Sequence, residues 1–419
     1  MHALKLDRLP EEKFMDTPQP AARQESAKPL ATGTGYGRQG PSYDSELIEA
    51  GPETPMGEVL RRHWQPVALS RDVQDNPVAV TVMGEELAVF RDKQGRPGLL
   101  HNRCCHRGTT LYYGRVEEQG IRCCYHGWLF DVEGRCIDMP CEKDNGAGIR
   151  ENVRQPWYEV EERYGLIFAY MGPPEKRPIL PRWSNLEGVK EGEKLMAVGP
   201  VFASGADNTL DYINCNWLQH WENTLDPFHV QVLHATFSSV QFVEEFGIMP
   251  TVDWASNETG VHYIAYRDLE DGRKVERVTC IWYPNTRSVP SVELKPGPGH
   301  NVGWVVPQDD KTCRSFAVFK VPEEFEMEGS ESIPGKKWSE MTEQEHRRYP
   351  GDWEAQTGQG PITLHSEEHL AGSDGAIRLI RKGLRTQIER VRGGEDPVGV
   401  AFESKDARIE VISGNFFSD

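Results

Sequence analysis

Two short segments hold side chains whose types and spacing can do metal chemistry. The first reads C-x-H-x16-C-x-x-H and consists of Cys104, His106, Cys123 and His126. Each half brings one thiolate and one imidazole to a short loop, and Gly108 and Gly127 follow the histidines where a tight turn needs a permissive backbone. Two cysteines and two histidines can bind zinc tetrahedrally. They can equally bind a [2Fe–2S] pair, with thiolates on one iron and imidazoles on the other. Zinc fingers supply their cysteines as one pair and their histidines as another. Here each loop supplies one of each, so a single loop can reach both irons. That order favours the iron–sulfur pair, with a structural zinc protein as the rival reading.

The second segment reads Glu-Asn-Thr-Leu-Asp-Pro-Phe-His-Val-Gln-Val-Leu-His over residues 222–234, placing Asn223, Asp226, His229 and His234 together. Two histidines and one carboxylate with open positions suit a mononuclear Fe(II) that activates O2. Asp226 and His229 are three apart and share a helix face. His229 and His234 are five apart, about 140° around an ideal helix. A π-type widening, or a break after Pro227, is therefore needed to bring both to one metal. His220 lies just outside the pattern and reads as structural.

The elements that must position these residues follow from the texture of the chain. Residues 1–43 carry many prolines and glycines with little apolar periodicity, as expected of an N-terminal arm. Thr54-Pro55 predicts a helix N-cap with proline in the first turn, and the helix would bear Val59, Leu60 and Trp64. From Val67 to about Gly172, short β-type runs alternate with turns, among them VAVTVMGEELAVFRD with a turn at Gly84-Glu85. A Pro-rich linker at 173–178 leads into helical residues around 214–235, then strands such as GVHYIAYRDL, KVERVTCIWY and RSFAVFKV. Helices are predicted again near 339–348 and 366–392. The fold class expected is α+β: a small antiparallel β domain over 44–175, and a larger domain over 176–419 with a central antiparallel sheet and flanking helices.

Composition narrows the function classes. The net charge of −18 offers no basic stripe for a nucleic-acid backbone. No apolar run approaches the length of a membrane span, and the N-terminal residues lack a signal-like core, so a cytoplasmic protein is expected. Four of the nine cysteines form two adjacent pairs beside histidines, Cys104/Cys105 and Cys123/Cys124, which favours metal binding in a reducing compartment. Cys136, Cys141, Cys215, Cys280 and Cys313 read as ordinary buried thiols. Arg267, Arg273 and Arg277 can bind a substrate carboxylate, but the loop sequence around them reads as surface charge. No flavin or nicotinamide fingerprint is evident.

The two cysteine–histidine loops, with Arg107-Gly108 and Tyr125-His126-Gly127-Trp128 flanking them, resemble the Rieske domain of ring-hydroxylating, Rieske-type non-heme iron oxygenases. TPMGEVLRRHWQPVAL upstream resembles the phthalate-dioxygenase-like branch of the α, or oxygenase, component. The family often carries proline after the cysteine of each loop. This chain has Cys105 and Cys124 there, which are not ligands in the family pattern and are expected to be free. Asn223-x-x-Asp226-x-x-His229-x4-His234 matches the family's iron motif. The stretch GDWEAQTGQGPITLHSEEHLAGSDGAIRLIRK resembles the segment that supplies the carboxylate, which falls on Asp352, with Glu354 and Asp374 as alternatives. Gly351 stands where the family more often has a polar residue. Glu367, Glu368, Asp374, His365 and His369 otherwise read as solvated.

The resemblance implies a Rieske cluster on Cys104, His106, Cys123 and His126, and a mononuclear Fe(II) on His229, His234 and Asp352. It also implies Asn223 beside the iron, and Asp226 linking His126 of one subunit to His229 of the next in a homotrimer or larger ring. Electrons would come from NAD(P)H only indirectly, through a separate reductase with or without a ferredoxin. O2 would then be inserted into an aromatic small molecule by cis-dihydroxylation, monohydroxylation or O-dealkylation. The rival from another class is a Rieske electron carrier with no oxygenase activity.

Overall fold

The computed structural model describes residues 40–200, 210–326, 333 and 335–418; the arm expected over 1–43 lies outside the described residues as far as residue 39. After a short helix α1 (Ser45–Ile48), helix α2 (Pro55–Arg61) starts as its sequence predicts. Thr54 accepts the amide of Gly57, and Pro55 occupies the first turn. Trp64 falls just past the helix, where it is buried and donates its indole N–H to the Pro178 carbonyl at 2.9 Å.

Strands β1 (Gln65–Leu69), β2 (Val78–Val82), β3 (Glu85–Arg91) and β4 (Pro97–His101) join the hairpin β9 (Trp157–Arg163) and β10 (Leu166–Tyr170). Together they form an antiparallel sheet in the order β1-β10-β9-β4-β3-β2. Between β4 and β9 lies a small antiparallel sheet of β5 (Arg115–Glu117), β6 (Gly120–Arg122), β7 (Leu129–Phe130) and β8 (Cys136–Asp138). The β2–β3 turn falls on Met83-Gly84, one residue earlier than expected, with φ of 48° and 80°. Met83 tolerates that backbone because its side chain is fully buried and its N–H donates to the Pro307 carbonyl at 2.8 Å.

A second antiparallel sheet contains β11 (Glu193–Val198), β12 (Thr251–Ser256), β13 (Gly260–Asp268), β14 (Lys274–Trp282), β15 (Thr286–Ser288), β16 (Asn301–Pro307) and β17 (Cys313–Pro322). Its order is β11-β17-β16-β15-β14-β13-β12, with β18 (Gly414–Ser418) pairing with β14. The strand-rich and mixed regions expected from sequence are both present.

Helices α3 (Trp217–Glu222), α4 (Pro227–Gln231), α5 (Glu343–Arg348), α6 (Asp352–Thr357) and α7 (Gly375–Arg392) accompany that sheet. The last begins nine residues later than the 366–392 span implied, because Asp374 turns back to accept the Ala371 amide at 2.6 Å. Ala376, Ile380, Leu384 and Ile388 recur every fourth residue on the buried stripe of α7, which packs on α2 and β13. One core runs through both large sheets, where Phe168 meets Trp304 edge to face at 5.4 Å. A separate small core of Phe90, Leu100, Ile121, Phe130 and Met139 lies under the cysteine–histidine loops.

Candidate metal centres

The two cysteine–histidine loops are closed by the same pair of backbone bonds. Cys104 N donates to Thr109 O at 2.9 Å and Gly108 N to Cys104 O at 2.8 Å; Cys123 N donates to Trp128 O at 2.9 Å and Gly127 N to Cys123 O at 3.1 Å. Gly108 and Gly127 sit at φ of 78° and 74°, so both need the left-handed conformation that glycine adopts without strain. The cysteine sulfurs are buried, while His106 and His126 are partly exposed with ring centroids 4.5 Å apart. His106 also stacks on Trp128 at 4.3 Å.

The two thiols share a hydrogen bond that pushes Cys123 down to about 6 and Cys104 up, so one sulfur readily carries negative charge. Buried sulfurs facing surface imidazoles fit an asymmetric cluster whose histidine end looks outward. Sequence reasoning missed Gln155. Fully buried, it accepts the Cys105 amide at 2.7 Å and donates to the carbonyls of His101 and Arg103 at 2.6 and 2.9 Å. Cys105 and Cys124 are free and exposed. Cys141, expected to be buried, is exposed as well, with its Sγ 3.5 Å from the His126 carbonyl, because it lies in the turn that passes over the second loop.

The second constellation starts on α3, anchored by the fully buried Trp217 and Trp221. Asp226 caps α4, its Oδ1 accepting the amides of Phe228 at 2.9 Å and His229 at 3.2 Å. After Gln231 the helix widens into a π turn over Val232–Thr236, with Phe237 N donating to Val232 O at 2.8 Å. This is the irregularity that the five-residue spacing requires. The His229 and His234 rings consequently lie 5.3 Å apart.

Asp352, the first residue of α6, meets them: its Oδ1 is 3.5 Å from His229 Nε2 and 3.3 Å from His234 Nε2. One ligand atom from each of His229, His234 and Asp352 lies within 4.8 Å of the others. Asn223 Nδ2 points into the same spot, 3.3 Å from Asp352 Oδ1 and 3.4 Å from His229 Nε2.

The outer nitrogens of both imidazoles face side-chain oxygens. His229 Nδ1 is 3.6 Å from Asp226 Oδ2, and His234 Nδ1 is 2.8 Å from Gln241 Oε1. Gln241, also missed, donates in turn to the Pro350 carbonyl at 2.9 Å and so ties His234 to the approach to Asp352. Burial alone would raise the Asp352 carboxyl, but the facing His234 and His229 hold it well below the usual range. Burial likewise opposes charge on His229, yet Asp226 and Asp352 raise it. A largely buried carboxylate facing two imidazoles, one with its outer nitrogen held by Gln241 and the other with its outer nitrogen turned to Asp226, is a donor set that fits a divalent iron.

The alternatives to Asp352 are engaged elsewhere. Glu354 accepts from Gly351 N, Trp338 Nε1 and His346 Nδ1, and Asp374 caps its own turn. His220 stays out of the triad. Its Nδ1 bonds the Gln356 amide oxygen and its Nε2 faces Arg287 Nη2 at 3.2 Å. Glu368 is not a solvated charge: Arg381 of α7 bridges it to the buried Glu222, tying α7 and the loop before it to α3. Arg273 lies at the surface as expected, but Arg267 and Arg277 are buried, because they project from strands and not from the loop between them.

The Rieske [2Fe-2S] domain family matches residues 63–156, a span that includes Cys104, His106, Cys123 and His126. The phenoxybenzoate dioxygenase subunit alpha of Ectopseudomonas oleovorans is 52% identical over 376 residues, covering 90% of this chain and 92% of the relative. This chain belongs to the Rieske-type non-heme iron oxygenases. The phthalate 4,5-dioxygenase oxygenase subunit of Pseudomonas putida is 29% identical over 418 residues, covering 88% and 90% of the two chains. The fold is shared with NdmA of Pseudomonas putida CBB5, solved with caffeine, at a TM-score of 0.61 and 19% identity over 81% of this chain and 94% of that one. As an oxygenase component, this Rieske protein is an enzyme, and the readings as zinc protein and as simple electron carrier fall away. No helix of the described residues is long and apolar enough to cross a membrane.

Proposed function

We propose that this Rieske oxygenase inserts oxygen into an aromatic substrate at a mononuclear Fe(II) held by His229, His234 and Asp352, using electrons from a cluster held by Cys104, His106, Cys123 and His126. The observation that carries the reading is the convergence of two Nε2 atoms and one carboxylate oxygen, within 4.8 Å of one another, from helices far apart in sequence. Bound there, the iron supplies the reductive activation of O2. The chain's own residues set the stage. Gln241 hydrogen-bonds the outward nitrogen of His234 and the Asp226 carboxylate faces that of His229 at 3.6 Å, so that both rings present Nε2 to the metal. Asn223 places an amide donor beside the open side of the site, where it orients what enters.

Residues 44–175 would serve as the electron-delivering domain and 176–419 as the catalytic one. A separate reductase supplies the electrons, and the relatives named for phenoxybenzoate and phthalate point to an aromatic substrate. Asp226 is partly exposed at 38% of its side chain, so its carboxylate is available to a neighbouring subunit's cluster histidine in a homotrimer. Nine free cysteines suit the reducing cytoplasm.

The test is metal analysis of the purified protein with product analysis under labelled O2. We expect about three irons and about two acid-labile sulfides per chain, and label from O2 in the product of a phenoxybenzoate. A wild-type protein with only the two cluster irons, or a product without label, would remove the reading.

A further inference from the structure

The face of the second sheet that looks toward the iron-site helix carries two guanidinium groups with no acid beside them. Arg267 on β13 and Arg277 on β14 lie diagonally across one strand pair, where Arg267 opposes Val275 and Arg277 opposes Ala265. Val275 packs with Phe246, and Val230 and Ala235 of the α4–π segment pack against the same cluster.

Both arginines are buried, at 3% and 4% exposure. Arg267 Nε donates to the Ile248 carbonyl at 2.9 Å, while its Nη1 is buried without a partner. Arg277 holds the Ser291 and Pro290 carbonyls and Asn415 Oδ1 with its Nη atoms at 2.8, 3.0 and 2.9 Å, but its Nε has no partner either. Thr279 Oγ1, two residues along on the same face, is a third buried polar atom left unpaired.

Among the described residues no carboxylate pairs with either arginine; only the Tyr263 hydroxyl favours their charge. Burial, opposed by that hydroxyl, lowers Arg267 to about 10 and lowers Arg277 as well. Two like charges buried side by side are costly unless an anion joins them. A staple for the 290–291 carbonyls accounts for the Nη atoms of Arg277. It accounts for neither the Nη1 of Arg267, the Nε of Arg277 nor Thr279.

The two guanidiniums flank Phe246, with Cζ atoms 5.3 and 5.2 Å from its ring centroid. Phe246 meets Phe242 edge to face at 6.3 Å, and Phe242 lies 4.7 Å from the ring of His234. A continuous run of aromatic ring contacts thus links His234 to the paired cations.

We propose that Arg267 and Arg277 receive the carboxylate of an aromatic acid whose ring lies along Phe242 and Phe246 toward the iron. The inference rests on the iron-site reading above and adds the substrate's charged group and the residues that select it. A planar guanidinium with unpaired N–H groups suits a carboxylate, and an amide of the same shape cannot replace the charge.

The test is calorimetric binding of a phenoxybenzoate and its primary amide to the iron-loaded protein. The acid should bind about 10- to 100-fold tighter than the amide. In Arg267→Gln that ratio should fall to near one, with amide affinity and iron content unchanged. A wild-type protein without the preference, or an Arg267→Gln variant that keeps it, overturns the proposal. If Arg267→Gln does not fold, Arg267→Lys keeps the charge but not the fork; it should weaken the acid and leave the amide alone, and equal weakening of both overturns the proposal. Iron stoichiometry separately scores the iron-site reading, so failure of one is distinguishable from failure of the other.

Discussion

The cysteine–histidine lobe and the iron-site helices are built by opposite means. In the lobe, each cysteine–histidine pair lies within four residues of sequence, and the same pair of backbone bonds closes both loops, with the side chains of Gln155 and Arg122 bracing them from outside. Around His229, His234 and Asp352, side chains do the positioning. Gln241 holds His234, Asp226 caps α4 while facing His229, and Gln219 and His220 bind Gln356 so that α6 is fixed to α3. Loops coded in the backbone tolerate side-chain change but are sensitive at glycine. A site assembled from distant helices is sensitive at amides that never touch the metal.

The sharpest break between the two is ligand removal. His234→Ala should lower iron by about one atom per chain and abolish oxygenation, while the visible absorption of the cluster stays as in the wild type. Iron and sulfide analysis beside the optical spectrum checks this. Bleaching of the cluster in that variant would mean that the two sites are not structurally independent.

That independence also explains what the sequence discloses. The lobe's ligands are local, so spacing and order alone pointed to the two loops. The His229/His234 spacing required a helix irregularity, and the π turn over Val232–Thr236 is that irregularity. Asp352 needed the family resemblance, because nothing local distinguishes it from Glu354; only the fold shows Glu354 turned back onto Gly351, Trp338 and His346. Gln155 and Gln241 carry no sequence signal: a glutamine becomes informative only when its partners' backbone positions are known. Arg267 and Arg277 were misread because a run of charges looks like a loop until the strand register buries alternate residues. The α+β class and most strands were legible from periodicity, whereas edges such as the Met83-Gly84 turn were set by contact with the other sheet.

Gln241→Ala tests the side-chain network without touching a ligand. Losing the partner of a metal-bound imidazole typically costs about 10- to 100-fold in metal affinity. Competitive chelation should show that loss at the mononuclear site and no loss of cluster iron. Unchanged iron affinity would mean that the π turn alone orients His234.

The helical site should also be the more acid-sensitive. His220 is buried and lowered to about 3, by burial first and then by Arg287, whose Nη2 it faces with Nε2. A histidine with a depressed folded pKa leaves the unfolded chain binding more protons between that value and about 6.5. Its contribution is therefore complete above about 6.5 and is lost as pH falls toward 3. Replacing it in His220→Gln should flatten the dependence of unfolding free energy on pH by up to about 1.4 kcal/mol per pH unit across that window. Denaturant titrations at pH 7, 6 and 5 measure the slope, and an unaltered slope would place the acid-labile group elsewhere, the half-buried His63, lowered by desolvation in the same way, being the next candidate.

The finest comparison lies inside the lobe, between its two matched glycines. Both hold left-handed backbone, so alanine at either should cost about 1 kcal/mol from conformation alone. They differ in what a new Cβ would meet. At Gly108 nothing lies within 4 Å, whereas at Gly127 the Cβ would come 2.7 Å from Pro140 Cγ. A contact that close forces the ring or the second loop to shift, adding about 1–3 kcal/mol as in other overpacked sites. Gly127→Ala should thus lower the temperature of cluster bleaching clearly more than Gly108→Ala, although the two loops share one hydrogen-bond scheme. Equal losses would show that the second loop moves as freely as the first, and that Pro140 does not brace the His126 end of the cluster.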